Sequence, residues 1–120
     1  MMPSVKTSVV LPVGLYKQSG EIAEMYFVNR NNLYIEAIRE GLRDYISFSK
    51  TYPGACRPGY LEKHEGERNA DGESCTATVN VPFGLAQKML EYDATPFAPF
   101  FRIWLTAYLR HGKEFWEGEE

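Results

Sequence analysis

Six residues in two short alternating segments carry the chemistry that matters most. They are Lys6, Ser8 and Val10 near the start, and Thr76, Thr78 and Asn80 seventy positions later. Apolar residues interleave with them, Val9 and Leu11 in the first segment and Val79 and Val81 in the second. A β-strand turns successive side chains to opposite faces. The spacing therefore predicts that each trio shares one outward face while the valines and leucine face a core. Amine, amide, hydroxyl and methyl groups on an open face are the groups that read DNA base edges. An asparagine pairs bidentately with adenine, a lysine reaches guanine acceptors, hydroxyls donate or accept, and a valine packs on a thymine methyl. On an isolated strand the same residues are ordinary exposed positions, so the surrounding elements must decide between the two readings.

A second cluster is Asn29-Arg30-Asn31-Asn32, a polar break rich in helix-capping residues. At the start of a helix such a cluster either caps the helix or, with free backbone N–H groups and the helix dipole, holds a phosphate. The corresponding stretch late in the chain is Ala94-Thr95-Pro96-Phe97, with Thr95 as its polar member and no cation. Other chemistries find no support. No catalytic triad arrangement, phosphate-binding glycine loop or dinucleotide fingerprint occurs. Cys56, His64, Cys75 and His111 lack the paired short spacing of a zinc site. Two cysteines are too few for a disulfide-dense scaffold; they are read as thiols, with a bridge open only if the host favours intracellular disulfides. Glu36 and Glu40 read as helix surface. The chain is expected to be no enzyme and to need no cofactor or metal.

The elements that must position these groups come in two copies. Ser8-Val9-Val10-Leu11-Pro12-Val13-Gly14-Leu15 is echoed by Thr78-Val79-Asn80-Val81-Pro82-Phe83-Gly84-Leu85. Farther on, Leu42-Arg43-Asp44-Tyr45-Ile46 parallels Leu105-Thr106-Ala107-Tyr108-Leu109 at an offset of 63, which implies seven residues lost from the second copy. Each copy predicts a strand, Lys6 to Leu11 and Thr76 to Val81, stopped by a proline. In copy one a helix follows over Val13 to Phe27, with Leu15, Ile22, Met25 and Tyr26 inward. A second helix carries Ile35, Ile38, Leu42, Tyr45 and Ile46 at helical spacing. Copy two predicts a helix over Phe83 to Tyr92, with Leu85, Met89 and Tyr92 inward. A last helix carries Phe97, Phe100, Phe101, Trp104, Leu105, Tyr108 and Leu109 and stops at Gly112. Ser47 to Ser74 is polar and rich in Pro and Gly, and reads as a long surface connection.

Net charge is −3 over 120 residues, but it is uneven. Residues 1–50 hold six Lys and Arg against five Asp and Glu; residues 51–74 hold three against five, and 75–120 four against six. The balance excludes a simple DNA-coating protein, although a local basic patch can still meet phosphates. No apolar run reaches the ~20 residues of a membrane span, and the first residues lack a secretory signal. The expected location is intracellular.

A strand ending in Leu11-Pro12, followed by two helices and the run Glu36-Ala37-Ile38-Arg39-Glu40-Gly41-Leu42-Arg43-Asp44-Tyr45, resembles the ribbon-helix-helix (MetJ/Arc/CopG) superfamily. The match is good over 5–46 and weaker over 75–110. It implies an α+β, mostly helical fold in which two ribbon-helix-helix motifs in one polypeptide form a pseudo-dimer, with a two-stranded antiparallel ribbon and four helices. Its divisions are a first motif over 1–50, a linker loop over 51–74, a second motif over 75–112 and an acidic tail over 113–120. The tandem form is similar to small AvtR-like transcription regulators of crenarchaeal viruses, which would place the chain in a host cytoplasm. The resemblance implies sequence-specific binding of double-stranded DNA, as repressor or activator. Base contacts would fall to Lys6, Ser8, Val10, Thr76, Thr78 and Asn80, and phosphate contacts to Asn29, Arg30, Asn31, Asn32 and Thr95. Units could associate side by side on DNA, and no membrane or small-molecule partner is expected. Two rivals are an antitoxin whose later region binds a toxin, and an interaction protein that keeps the fold without binding DNA.

Overall fold

The computed structural model describes residues 4–51, 56–63 and 73–118. It is a mostly helical α+β arrangement around one two-stranded antiparallel sheet. The described elements run β1 (Ser4–Pro12), α1 (Val13–Met25), α2 (Arg30–Thr51), α3 (Cys56–Lys63), β2 (Ser74–Pro82), α4 (Phe83–Glu91) and α5 (Phe97–Gly118).

Strand β1 lies antiparallel to β2, with Lys6 opposite Asn80, Ser8 opposite Thr78 and Val10 opposite Thr76. One further backbone bond, from the Val13 N–H to the Glu73 carbonyl at 3.0 Å, continues the pairing past Pro12. Alternation is enforced by burial: Val9, Leu11, Ala77, Val79 and Val81 are buried under the helices, while the residues between them face out. A one-residue slip of either strand would bring its valines into water and its polar groups into the core. Each strand then stops at a proline, Pro12 or Pro82, which occupies the N-cap position of the next helix.

The helices that follow the two strands, α1 and α4, end in the same way. Val28 N–H bonds the Ala23 carbonyl at 2.9 Å and Phe27 N–H bonds that of Glu24 at 3.2 Å; Ala94 bonds Met89 at 2.8 Å and Asp93 bonds Leu90 at 3.1 Å. These are paired 6→1 and 5→2 bonds of a Schellman ending. The left-handed residue is Phe27 (φ 57°) or Asp93 (φ 58°) rather than glycine, which is why no stop signal is visible there in the sequence. Helix α1 therefore ends at Met25, and Met25 and Tyr26 are exposed instead of facing the core. Tyr92 is likewise exposed.

Helices α2 and α5 pack on each other and on the sheet. Leu33, Tyr34, Ala37, Ile38 and Leu42 are buried along α2, and Phe100, Phe101, Trp104, Leu105 and Leu109 at the same spacing along α5. That correspondence sets Leu42 against Leu109, one helical turn beyond the Leu105 expected from the sequence. The seven-residue deletion read from the shorter match is therefore corrected. Helix α4 has 9 residues where α1 has 13, and Thr95-Pro96 replaces Asn29 in the following turn, so the net loss is three. A shift by four keeps apolar residues on the same helix face, so the sequence match does not separate the two alignments.

Two further expectations are corrected. The connection over 51–74 is not loop throughout: it contains α3, so the chain has five described helices rather than four. Tyr60 of α3 is 2% exposed. Its ring packs edge-on against Tyr45 (4.9 Å) and Phe48 (5.4 Å) and stacks on Phe100 (5.9 Å). Its hydroxyl donates to Asp44 Oδ2 at 2.9 Å and accepts from Trp104 Nε1 at 3.2 Å. A buried tyrosine needs such partners, and here they tie the connection to both long helices. Helix α5 also continues through Gly112 to Gly118, so the 113–120 tail is helical over most of its length. Cys75 is a free thiol, half-buried on β2.

Candidate nucleic-acid interface

The outward face of the ribbon gathers all six predicted base-contacting residues. Lys6, Ser8, Val10, Thr76, Thr78 and Asn80 are each exposed, and they form three facing pairs across the two strands. Val10 is 51% exposed although apolar. From Lys6 to Val10 the ribbon advances about 13 Å at ~3.3 Å per residue, the span of about four base steps at 3.4 Å each.

Both outer edges of the ribbon are held by side chains from the long helices. Asn31 Nδ2 donates to the Asn80 carbonyl at 3.2 Å, and the Asn80 N–H donates to Asn31 Oδ1 at 2.9 Å. The amide acts as a short third strand. On β1, Arg102 of α5 donates to the Val10 carbonyl at 3.1 Å. Since the backbone of Asn80 points to Asn31, the Lys6–Asn80 pair is of the non-hydrogen-bonded kind, in which facing side chains lie closest. The pairs Ser8–Thr78 and Val10–Thr76 share its face and its kind. The exposed groups are thus closely grouped and held on a fixed backbone.

The Asn29–Asn32 cluster sits where α2 begins, beside the ribbon. Asn29 is the N-cap, its Oδ1 accepting from the Asn32 N–H at 2.8 Å and its carbonyl accepting from the Leu33 N–H at 3.2 Å. Arg30 turns back onto α1. Its guanidinium lies 3.9 Å from the centroid of the Tyr16 ring and donates to the Tyr16 carbonyl at 3.4 Å. Gly20 makes this possible, since a Cβ there would collide with the Arg30 guanidinium. Asn31 clasps the ribbon edge, and Asn32 is exposed. Three of the four side chains thus hold the element in place, leaving the backbone N–H groups of Arg30 and Asn31 and the side chain of Asn32 as groups able to meet an anion. Thr95 lies half-buried two residues before α5.

Behind the ribbon, Ser19 is the one buried polar residue among those described. It donates to the Tyr16 carbonyl at 2.7 Å and pairs with the Tyr34 hydroxyl at 3.2 Å. Burial pushes the Tyr34 phenol above its ordinary pKa, and the Ser19 bond opposes the shift. Among the described residues no group of His, Cys, Asp and Glu could hold a metal ion, and no helix is long and apolar enough to cross a membrane.

Sequence reasoning did not anticipate the ribbon-edge clasp of Asn31, the grip of Arg30 on Tyr16, or the exposed turn Met25-Tyr26-Phe27-Val28, in which Phe27 is 96% exposed. The one signal that could have found any of these is Gly20, a glycine in the interior of α1 that the Arg30 guanidinium approaches closely. No protein-family model matches this chain, and no curated protein or solved structure matches it.

Proposed function

We propose that this chain is a sequence-specific regulator of transcription that inserts the β1–β2 ribbon into the major groove of double-stranded DNA. The observation that carries this reading is the single exposed face on which an amine, an amide, three hydroxyls and a valine stand in three facing pairs. A two-stranded ribbon fits the major groove, and these groups match what base edges offer there. The helices lie on the other side of the sheet, so nothing described blocks the approach.

The proposal includes two tandem ribbon-helix-helix halves acting as an intramolecular pseudo-dimer. Ser8 and Thr78, equivalent in the sequence repeat, lie opposite each other. About that point Lys6 corresponds to Thr76 and Val10 to Asn80. The edge clasps fall on the Val10 and Asn80 backbones, which are equivalent positions. The halves present different chemistry, so the preferred site is not a true palindrome. One duplex strand would be held at the start of α2 by first-turn N–H groups and Asn32. The Thr95–Pro96 turn offers a poorer counterpart, since proline lacks an N–H. Lys6 is the ribbon face's one cation among the described residues, so affinity for one unit is modest and adjacent units could reinforce each other.

A second reading, an interaction protein of the same architecture, is favoured by the exposed Met25–Val28 turn. Selection from random duplexes separates the two. The regulator enriches a defined motif, and Lys6→Ala or Asn80→Ala each weakens binding to that motif by ~1–3 kcal/mol, roughly 5- to 150-fold. No enrichment, or unchanged preference in both variants, removes the ribbon as a reading element.

A further inference from the structure

A groove of about 510 Å³ opens between α2 and α4, away from the ribbon face. Its rim carries four cations, Arg39, Arg43 and Lys50 on α2 and Lys88 on α4. Its floor is aliphatic, with Ile46 and Leu85 half-buried and Leu42 beneath them. Arg39, Arg43, Ile46 and Lys50 follow the i, i+4, i+7, i+11 spacing of one helix face. From Arg39 to Lys50 that face runs about 16 Å, three helical turns.

The strip of α2 beside these cations is acidic. Glu36 and Glu40 lie close enough to Tyr108 of α5 to add to the upward push that burial gives its phenol. Each also pairs with an arginine of the rim, Glu36 with Arg39 at 2.8 Å and Glu40 with Arg43 at 3.2 Å. Both pairs are solvent-exposed. Pairs of this kind contribute little, so the arginines can exchange a carboxylate of their own helix for one from outside. The local excess of positive charge contrasts with the chain's net charge of −3.

We infer that this groove is a docking site for an acidic amphipathic helix of a partner protein, which seats an apolar stripe on Ile46 and Leu85 and sets carboxylates against Arg39, Arg43, Lys50 and Lys88. The groove is open and three turns long, a shape that suits a helix laid along it. Three cations spaced along the α2 wall, with Lys88 facing them from α4, suit carboxylates spaced along a helix better than one compact anion. Arg39, the rim residue nearest to Asn31, lies eight positions after it on α2, about 12 Å along the helix axis at 1.5 Å per residue, and Lys50 lies about 28 Å away. The site is therefore separate from the ribbon edge that Asn31 clasps, and a docked partner leaves the ribbon face uncovered.

The test uses the full isotope-labelled chain and a synthetic fourteen-residue helix with leucines along one stripe and glutamates elsewhere. The same helix with lysines for glutamates is the control. The acidic helix is expected to shift the amide signals of Leu42, Ile46, Leu85 and their neighbours, and the basic helix to leave them in place. The double variant Arg43→Glu, Lys88→Glu, at two exposed positions, is expected to weaken acidic-helix binding at least tenfold with the amide spectrum otherwise unchanged. Equal shifts with both helices, shifts scattered over the surface, or full binding by the double variant overturns the inference. So does duplex DNA that moves these same signals, because the groove is then a phosphate surface. Ribbon signals answer separately for the DNA reading.

Discussion

Gly41 offers the sharpest test of how the two long helices pack. It lies on α2 against Trp104 of α5, and a Cβ built there falls into the indole ring, with Cγ, Cδ1 and Cδ2 as its nearest atoms. Carbon atoms in contact prefer about 3.5–4.0 Å, so Gly41→Ala demands a shift of an ångström or more. Trp104 is 1% exposed and its ring is rigid, which leaves movement of a helix as the way out. Overpacking of this kind costs ~1–3 kcal/mol, and a rigid ring places it at the upper end. Alanine returns about 1 kcal/mol of helix propensity. The net loss is then about 2 kcal/mol, or a fall in Tm of roughly 8 °C for a chain of this size. Gly14→Ala and Gly84→Ala are the controls, because neither Cβ meets anything within 4 Å. Each should raise stability by up to ~1 kcal/mol. Thermal and urea unfolding report all three. In a double-mutant cycle, Trp104→Leu should relieve Gly41→Ala, with a coupling of ~1 kcal/mol or more. A Gly41→Ala protein as stable as the Gly14→Ala protein would refute the close packing of α2 on α5.

Two other outcomes follow from single residues. Phe27 holds a left-handed conformation (φ 57°) with its ring 96% exposed, so Phe27→Gly should relieve about 1 kcal/mol of backbone strain and raise the urea midpoint. Asn31→Ala removes both bonds to the Asn80 backbone, at a cost of ~1–2 kcal/mol. It should speed hydrogen exchange at the Asn80 amide while leaving the Thr7 and Val9 amides protected.

The ribbon was legible in the sequence because period-two alternation with flanking prolines is a strong local signal. The six residues it turned outward, from Lys6 to Asn80, are exposed, and it missed Ser4 and Ser74 at the strand ends. The order of helices was also legible, but their register was not. Leu105 and Leu109 sit one turn apart on the same face, so a repeat match cannot choose between them. The endings at Phe27 and Asp93 lacked glycine and left no signature. Helix α3 was hidden because it carries Pro58 and Gly59 within its own eight residues, while the aromatic partners of Tyr60 come from α2 and α5, distant in sequence. The same reason hid the roles of Arg30 and Asn31: both answer to contacts with Tyr16 and Asn80 that only the folded chain brings near.

The most direct test of the central proposal is an intermolecular NOE experiment on the chain bound to a duplex recovered by selection. The proposal predicts cross-peaks from the methyl groups of Val10, Thr76 and Thr78 to thymine methyls and cytosine H5 protons, which lie in the major groove. Cross-peaks confined to minor-groove protons, or arising only from the helices, would contradict it.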